Sequence, residues 1–191
     1  MALGKQAKPL TEAQQTAVLE TLKATRHPAR NRVMFLLSVD AALRAKEIAS
    51  LEWSMVTDAG GMLSDCIRLQ DKAAKGNSGG VVYMSKRLIA ALETLKAETL
   101  RPARTVIASR NGKSMSAQVI VNWFFCLYRS LGFDGCSSHS GRRTAITRWA
   151  RKISSVGGSL RDLQTLARHS SLAMTQRYIE VSEDACRKVV G

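Results

Sequence analysis

The alternation of apolar and polar positions divides the chain into helical stretches around one short hairpin. Leu10 precedes Thr11, and apolar residues recur at Ala17, Val18 and Leu22. That pattern predicts a helix capped by Thr11, with Leu10 as a hydrophobic staple, running to about Thr25. His27-Pro28 interrupts it, and Pro28 suits the first turn of a second helix through Leu43. A short helix Ala45–Leu51 is expected next. The period then changes. Asp58-Ala-Gly-Gly61 reads as a turn, Cys66–Gln70 alternates as a strand does, and Val81–Met84 reads as its partner across the Gly- and Lys-rich segment Asp71–Gly80.

Beyond the hairpin the helical period returns. Ser85 is placed to cap a helix to about Leu100, Val106-Ile-Ala108 is briefly extended, and Ser116 opens an apolar helix to Leu131. Four further helices are expected at about 139–152, 159–168, 171–179 and 182–190. Gly157-Gly158 separates the first two, and Ser159, Ser171 and Ser182 stand as caps. The fold class is therefore mainly α with a small antiparallel β-sheet (α+β). No internal repeat and no low-complexity segment interrupts it.

Composition narrows the partner. At 191 residues, 45% hydrophobic and 23% charged, the chain has the size and make-up of one globular domain. Its 29 Lys+Arg against 15 Asp+Glu leave a formal charge of +14. A field of that sign attracts polyanions and gains from counterion release on DNA or RNA. Cys66, Cys126, Cys136 and Cys186 are scattered, without a C-x-x-C pair or clustered His, so no zinc site is expected and reduced thiols fit. The longest apolar stretch, Val33–Val39, is too short to span a bilayer, and the first nine residues lack a signal-peptide core. A cytoplasmic protein without a membrane partner is the expectation.

Three segments could carry chemistry. In Ala42-Leu-Arg-Ala-Lys-Glu-Ile48, Arg44 and Glu47 stand three apart and can share a helical face, which by itself reads first as an ordinary surface ion pair. His139-Ser-Gly-Arg142-Arg143 sets an imidazole and guanidiniums at a helix N-terminus, where a phosphate is already favoured; a solvated basic helix start is the plainer alternative. In Leu166–Glu180, His169 lies at a helix end and Tyr178 about two turns along the next helix. Alone, that Tyr would be an ordinary core or surface residue.

Taken together, these segments resemble the tyrosine recombinase (phage integrase) family. Its boxes G-L-R-x-x-E, a hairpin lysine, H-x-L-R and L-G-H-S-S-x-x-T-T-x-x-Y come in this order. Here they stand as A-L-R-A-K-E (42–47), Lys72, H-S-G-R (139–142) and A-R-H-S-S-L-A-M-T-Q-R-Y (167–178). The resemblance implies the catalytic-domain fold of this DNA breaking-rejoining family over residues 10–181. Residues 1–9 would form a basic N-terminal tail. A C-terminal helix at 182–191 would either pack on a neighbouring subunit or fold back on its own domain.

It also implies roles. Tyr178 would attack the scissile phosphodiester to give a 3′-phosphotyrosyl bond and a free 5′-hydroxyl, conserving bond energy so that rejoining needs no ATP. Arg44 and Arg142 would neutralise the non-bridging oxygens, and His169 would donate a further hydrogen bond. A phenol is a poor nucleophile at neutral pH, so His139 is the implied base. Lys72 would protonate the leaving oxygen, with Lys75 as the fallback, and Glu47 would orient Arg44. Lys75, Arg143 and Arg168 are candidate DNA contacts. No cofactor and no metal is implied, because the arginines serve as charge sink.

The sequence departs from the family pattern at Ala42 and Arg168, where Gly is usual, and at Gly141, where an apolar residue is usual. Gly141 is expected to loosen packing under its box. A core-binding domain N-terminal to the catalytic part is expected to be missing, an organisation similar to the small recombinases that switch fimbrial genes. The implied partners are double-stranded DNA, further copies of the chain (dimer to tetramer) and an accessory DNA-bending or clamp-supplying protein. The rival readings are a topoisomerase-like nicking enzyme and a DNA-binding regulator that kept the fold without the reaction.

Overall fold

The computed structural model describes residues 6–71, 79–99, 103–109 and 111–179. Among these, the helices are α1 (Glu12–Lys23), α2 (Pro28–Val39), α3 (Ala45–Ser50), α4 (Lys86–Glu98), α5 (Ala117–Ser130), α6 (Ser140–Ile153), α7 (Leu160–Ala167) and α8 (Leu172–Gln176). Strands β1 (Cys66–Leu69) and β2 (Gly80–Tyr83) pair antiparallel between α3 and α4, with Ile67 opposite Val82 and Leu69 opposite Gly80. Ile67, Leu69 and Val82 face inward, while Arg68 and Val81 face out. The chain divides inside α6 into two compact units, residues 1–145 and 146–191.

In the first unit, α2 is the central element. Val33, Met34, Phe35, Leu36, Leu37 and Val39 have no exposed surface. Each contributes roughly 1.5–3 kcal/mol by leaving water, far more than the few tenths by which its β-branched residues disfavour a helix. Helices α1, α3 and α4 pack on α2, and α5 packs on α3. Their inward residues recur at helical spacing: Val18 and Leu22 in α1, Leu88, Ala91, Leu92 and Leu95 in α4, and Ile120, Phe124, Leu127 and Tyr128 in α5. In the second unit α7 packs on α8, with Leu163 and Ala167 buried.

Four of the expected serine and threonine caps form where the sequence places them. Thr11 accepts from the Gln14 N–H and Gln14 returns the bond, a complete capping box. Ser85, Ser116 and Ser159 accept from Leu88, Val119 and Asp162. Ser171 precedes α8 but makes no side-chain cap bond. Ser182 and the helix expected at 182–190 lie outside the described residues.

One expected boundary needs correction. The second helix ends at Val39, not Leu43, because Ala42 takes a left-handed conformation (φ 53°) and the Leu43 N–H reaches back to the Leu37 carbonyl at 3.0 Å. The described end of the N-terminal segment is also tied down. The Lys8 N–H donates to Gly135 O at 3.0 Å, and the Leu10 N–H to Thr144 Oγ1 at 2.7 Å. No described helix is long and apolar enough to cross a membrane.

Candidate active site

Arg44 occupies the N-cap of α3, in extended conformation, and Glu47 is the third residue of that helix. The Glu47 carboxylate accepts from the Arg44 backbone N–H and from Arg44 Nη1, both at 2.8 Å. This is no surface pair: the Glu47 side chain is fully buried and that of Arg44 is 20% exposed. The carboxylate therefore fixes the guanidinium at one edge and leaves part of it open to solvent.

Arg142 joins the same frame. It sits in the first turn of α6, buried, and donates from Nη1 to the Ala42 carbonyl at 2.6 Å. That carbonyl is available because residue 42 is left-handed, a conformation costing Ala about 1 kcal/mol relative to Gly. The first and second boxes, 100 residues apart in the chain, thus meet at one buried turn. His139 lies exposed just before α6, its carbonyl accepting from the Arg143 N–H at 3.0 Å. Arg143 in turn donates through Nη1 to Gln6 Oε1.

Gly141 does the opposite of loosening the packing. A Cβ built there would overlap Ser38 Oγ and stand 2.9 Å from Ser38 Cβ and 3.0 Å from Val39 Cγ1. The absent side chain lets α6 approach the end of α2 closely enough for Arg142 to reach Ala42. Ser38, also small, is its complement on the facing helix.

In the second unit His169 is buried and held from three sides. Its N–H donates to Gln164 O at 3.1 Å, its carbonyl accepts from Gln164 Nε2 at 3.0 Å, and its Nδ1 lies 3.0 Å from Thr175 Oγ1. A bond at Nδ1 sets ring orientation and directs Nε2 to any other partner. Tyr178 stacks on this ring, with centroids 5.4 Å apart and planes 26° apart. It does not lie on the helix as expected: α8 stops at Gln176, and Tyr178 follows in a turn, its N–H donating to Thr175 O at 3.0 Å. A five-residue helix satisfies few of its own backbone groups, and the Tyr178 ring lies against His169 just beyond its end. Arg168 takes the left-handed conformation (φ 52°, ψ 48°) that its position demands at the end of α7.

Lys72 and Lys75 lie outside the described residues. At the stem of their segment the Gly79 N–H donates to Asp71 Oδ1 at 3.0 Å, and a Cβ at residue 79 would fall 2.5 Å from Leu69 O. Only glycine fits that closure. Among the described residues no three or more His, Cys, Asp or Glu gather as a metal site would require.

Thr175 and Gln164 were not singled out from the sequence. Thr175 falls on the second Thr of the T-T pair in the last box, which was a usable signal; nothing local marks Gln164. A third group, Asp40 with Ser85 and Arg87, was also missed, since its members are 45 and 47 residues apart.

The fold is that of tyrosine recombinase catalytic domains. The chain is similar to the crystal structure of XerA recombinase (TM-score 0.71, 19% identity), covering 99% of this chain and 64% of that one. It is similar also to the Tn1549 transposon integrase in complex with a circular intermediate DNA (TM-score 0.76, 18% identity, 98% of this chain and 66% of that one). A lambda integrase dimer bound to a COC′ core site aligns with TM-score 0.68 and 18% identity over 93% of this chain and 51% of that one. The chain thus spans about two thirds or less of the length of these proteins. No curated protein sequence matches it. Residues 8–184 match the phage integrase family, and the chain belongs to that family.

Proposed function

We propose that the chain is the catalytic domain of a site-specific DNA recombinase, cleaving and rejoining strands through a 3′-phosphotyrosyl bond at Tyr178. The observation that carries this reading is the His169–Tyr178 stack, with Nδ1 of the buried imidazole taken by Thr175. A tyrosine in that setting sits beside a hydrogen-bond donor for the phosphate it would attack. Arg44 and Arg142 would offset the charge that builds on the non-bridging oxygens, since guanidiniums stay protonated at any working pH. His139, exposed at the start of α6, would take the phenolic proton. A lysine of the 72–75 segment would return one to the leaving 5′-oxygen.

Double-stranded DNA is the proposed substrate, in keeping with the +14 charge. The DNA-bound state of the Tn1549 and lambda integrase structures supports the same choice. Assembly as a dimer or tetramer on DNA follows from the need to exchange strands between two sites.

The test uses the 191-residue chain with a library of nicked random-sequence duplexes, in which a short cleaved end diffuses away and traps the adduct. Denaturing capture of protein-linked DNA selects the sequences cut. Wild type is expected to yield adducts linked through Tyr178, and Tyr178→Phe none. Equal behaviour of the two would defeat the reading and leave a DNA-binding regulator with this fold. Recombinant products from two copies of a selected sequence would separate strand exchange from nicking and resealing.

A further inference from the structure

The buried turn that carries Arg44 is held by a group outside the family boxes. Asp40 is the C-cap of α2 and its side chain is 2% exposed. Arg87 approaches it as a fork, Nε to Oδ2 at 2.6 Å and Nη2 to Oδ1 at 2.5 Å, and Ser85 Oγ donates to Oδ2 at 2.7 Å. Arg87 is held above its ordinary pKa by this hydrogen-bonded contact.

A carboxylate is a poor local choice at that point. The C-terminal end of a helix carries partial negative charge, and a buried acid there is unfavourable until a cation meets it. An apolar side chain would fill the space without needing a partner. What the ion pair adds is geometry: a bidentate fork fixes both distance and plane.

The geometry matters because of the turn immediately after Asp40. Residues 39–47 read Val-Asp-Ala-Ala-Leu-Arg-Ala-Lys-Glu, and the alanines, Leu43, Arg44, Lys46 and Glu47 favour continuing the helix. The structure instead breaks at Ala42, whose left-handed backbone turns its carbonyl to Arg142 and sends Arg44 out in extended conformation. Were α2 to run on, Ala42 O would join the helical ladder, Arg142 would lose it, and the Arg44 N–H would bond the carbonyl four residues back instead of Glu47.

We propose that Asp40 and Arg87 are positioning residues, whose ion pair anchors the end of α2 so that the left-handed turn at Ala42 can present Arg44 and receive Arg142 as one phosphate clamp. The inference rests on the strand-cleavage reading for the clamp's purpose, but the anchoring itself does not.

Two variants test it: Arg87→Lys, which keeps a cation but loses the fork, and the double variant Asp40→Leu with Arg87→Leu, which removes the buried charge and so protects the fold. The first measurement is amide exchange at Leu43, whose N–H is bonded to Leu37 O. It should quicken by about tenfold or more in both variants, with the amides of α4 and α5 unchanged. The second compares adduct formation on a library-selected nicked duplex and on the same duplex with a methylphosphonate at the scissile position. That group lacks the negative charge the guanidiniums would offset. Cleavage of the phosphodiester should fall about a hundredfold, as for other small misplacements of catalytic groups, and of the methylphosphonate far less. Unchanged Leu43 exchange, or an equal loss on both substrates, overturns the proposal. A wild-type chain that forms no adduct defeats the recombinase reading instead, and Leu43 exchange then decides on the anchor alone.

Discussion

Replacing Glu47 by Gln changes one atom and should be among the most costly neutral substitutions in the chain. The buried carboxylate accepts two bonds from Arg44, each 2.8 Å. At an effective dielectric constant of ~20, a unit pair at that distance attracts by about 6 kcal/mol, of which desolvation of the buried acid offsets several kcal/mol. The amide loses the attraction and also turns an NH2 group toward one of the two donors, leaving that donor and itself unmatched. We expect a loss of about 3 kcal/mol, in line with breaking a buried pair from one side. Urea denaturation of wild type, Glu47→Gln and the cycle of Glu47→Met, Arg44→Met and their double variant measures it. The double variant should be more stable than either single one, because it leaves no charge stranded. A Glu47→Gln loss below about 1 kcal/mol, or simple additivity in the cycle, would refute the argument and return the pair to the class of solvated surface contacts.

Three further outcomes are expected from the same geometry. Ala42→Gly relieves left-handed backbone, so it should stabilise by about 1 kcal/mol and raise Tm by roughly 2–4 °C, read by thermal melting. Gly141→Ala should reverse the usual helix preference and destabilise by about 1–3 kcal/mol, since its Cβ meets Ser38 within 2.9 Å; a gain in stability would mean α6 and α2 are not so close. Thr175→Val removes the partner of His169 Nδ1 while keeping the volume. Adduct formation should fall about tenfold or more with DNA affinity little changed, whereas equal losses in both would point to misfolding.

How much of this could be read along the chain depends on the range of the interaction. The caps at Thr11, Ser85, Ser116 and Ser159 were legible because each is a contact between a side chain and a backbone group three residues on. The ion pair of Arg44 with Glu47 was legible for the same reason, though its burial was not. Spacing says that two groups can meet; whether water is present when they do depends on what else packs over them. The left-handed backbone at Arg168 was foreseeable too, from the glycine that usually precedes the second His of the family boxes.

The amino-acid order by itself determined the α+β class, the membership announced by the ordered boxes, and the identity of the groups able to handle a phosphate. Tertiary structure alone decided that α2 stops at Val39, that Gly141 brings α6 against Ser38, and that Arg142 finds the Ala42 carbonyl. It decided as well that Tyr178 rests on His169 beyond the end of α8. The physical reason is plainest at the end of α2. Helix propensity, summed over a few residues at tenths of a kcal/mol each, favours running on through Asp40–Leu43, and contacts supplied from far along the chain outweigh it.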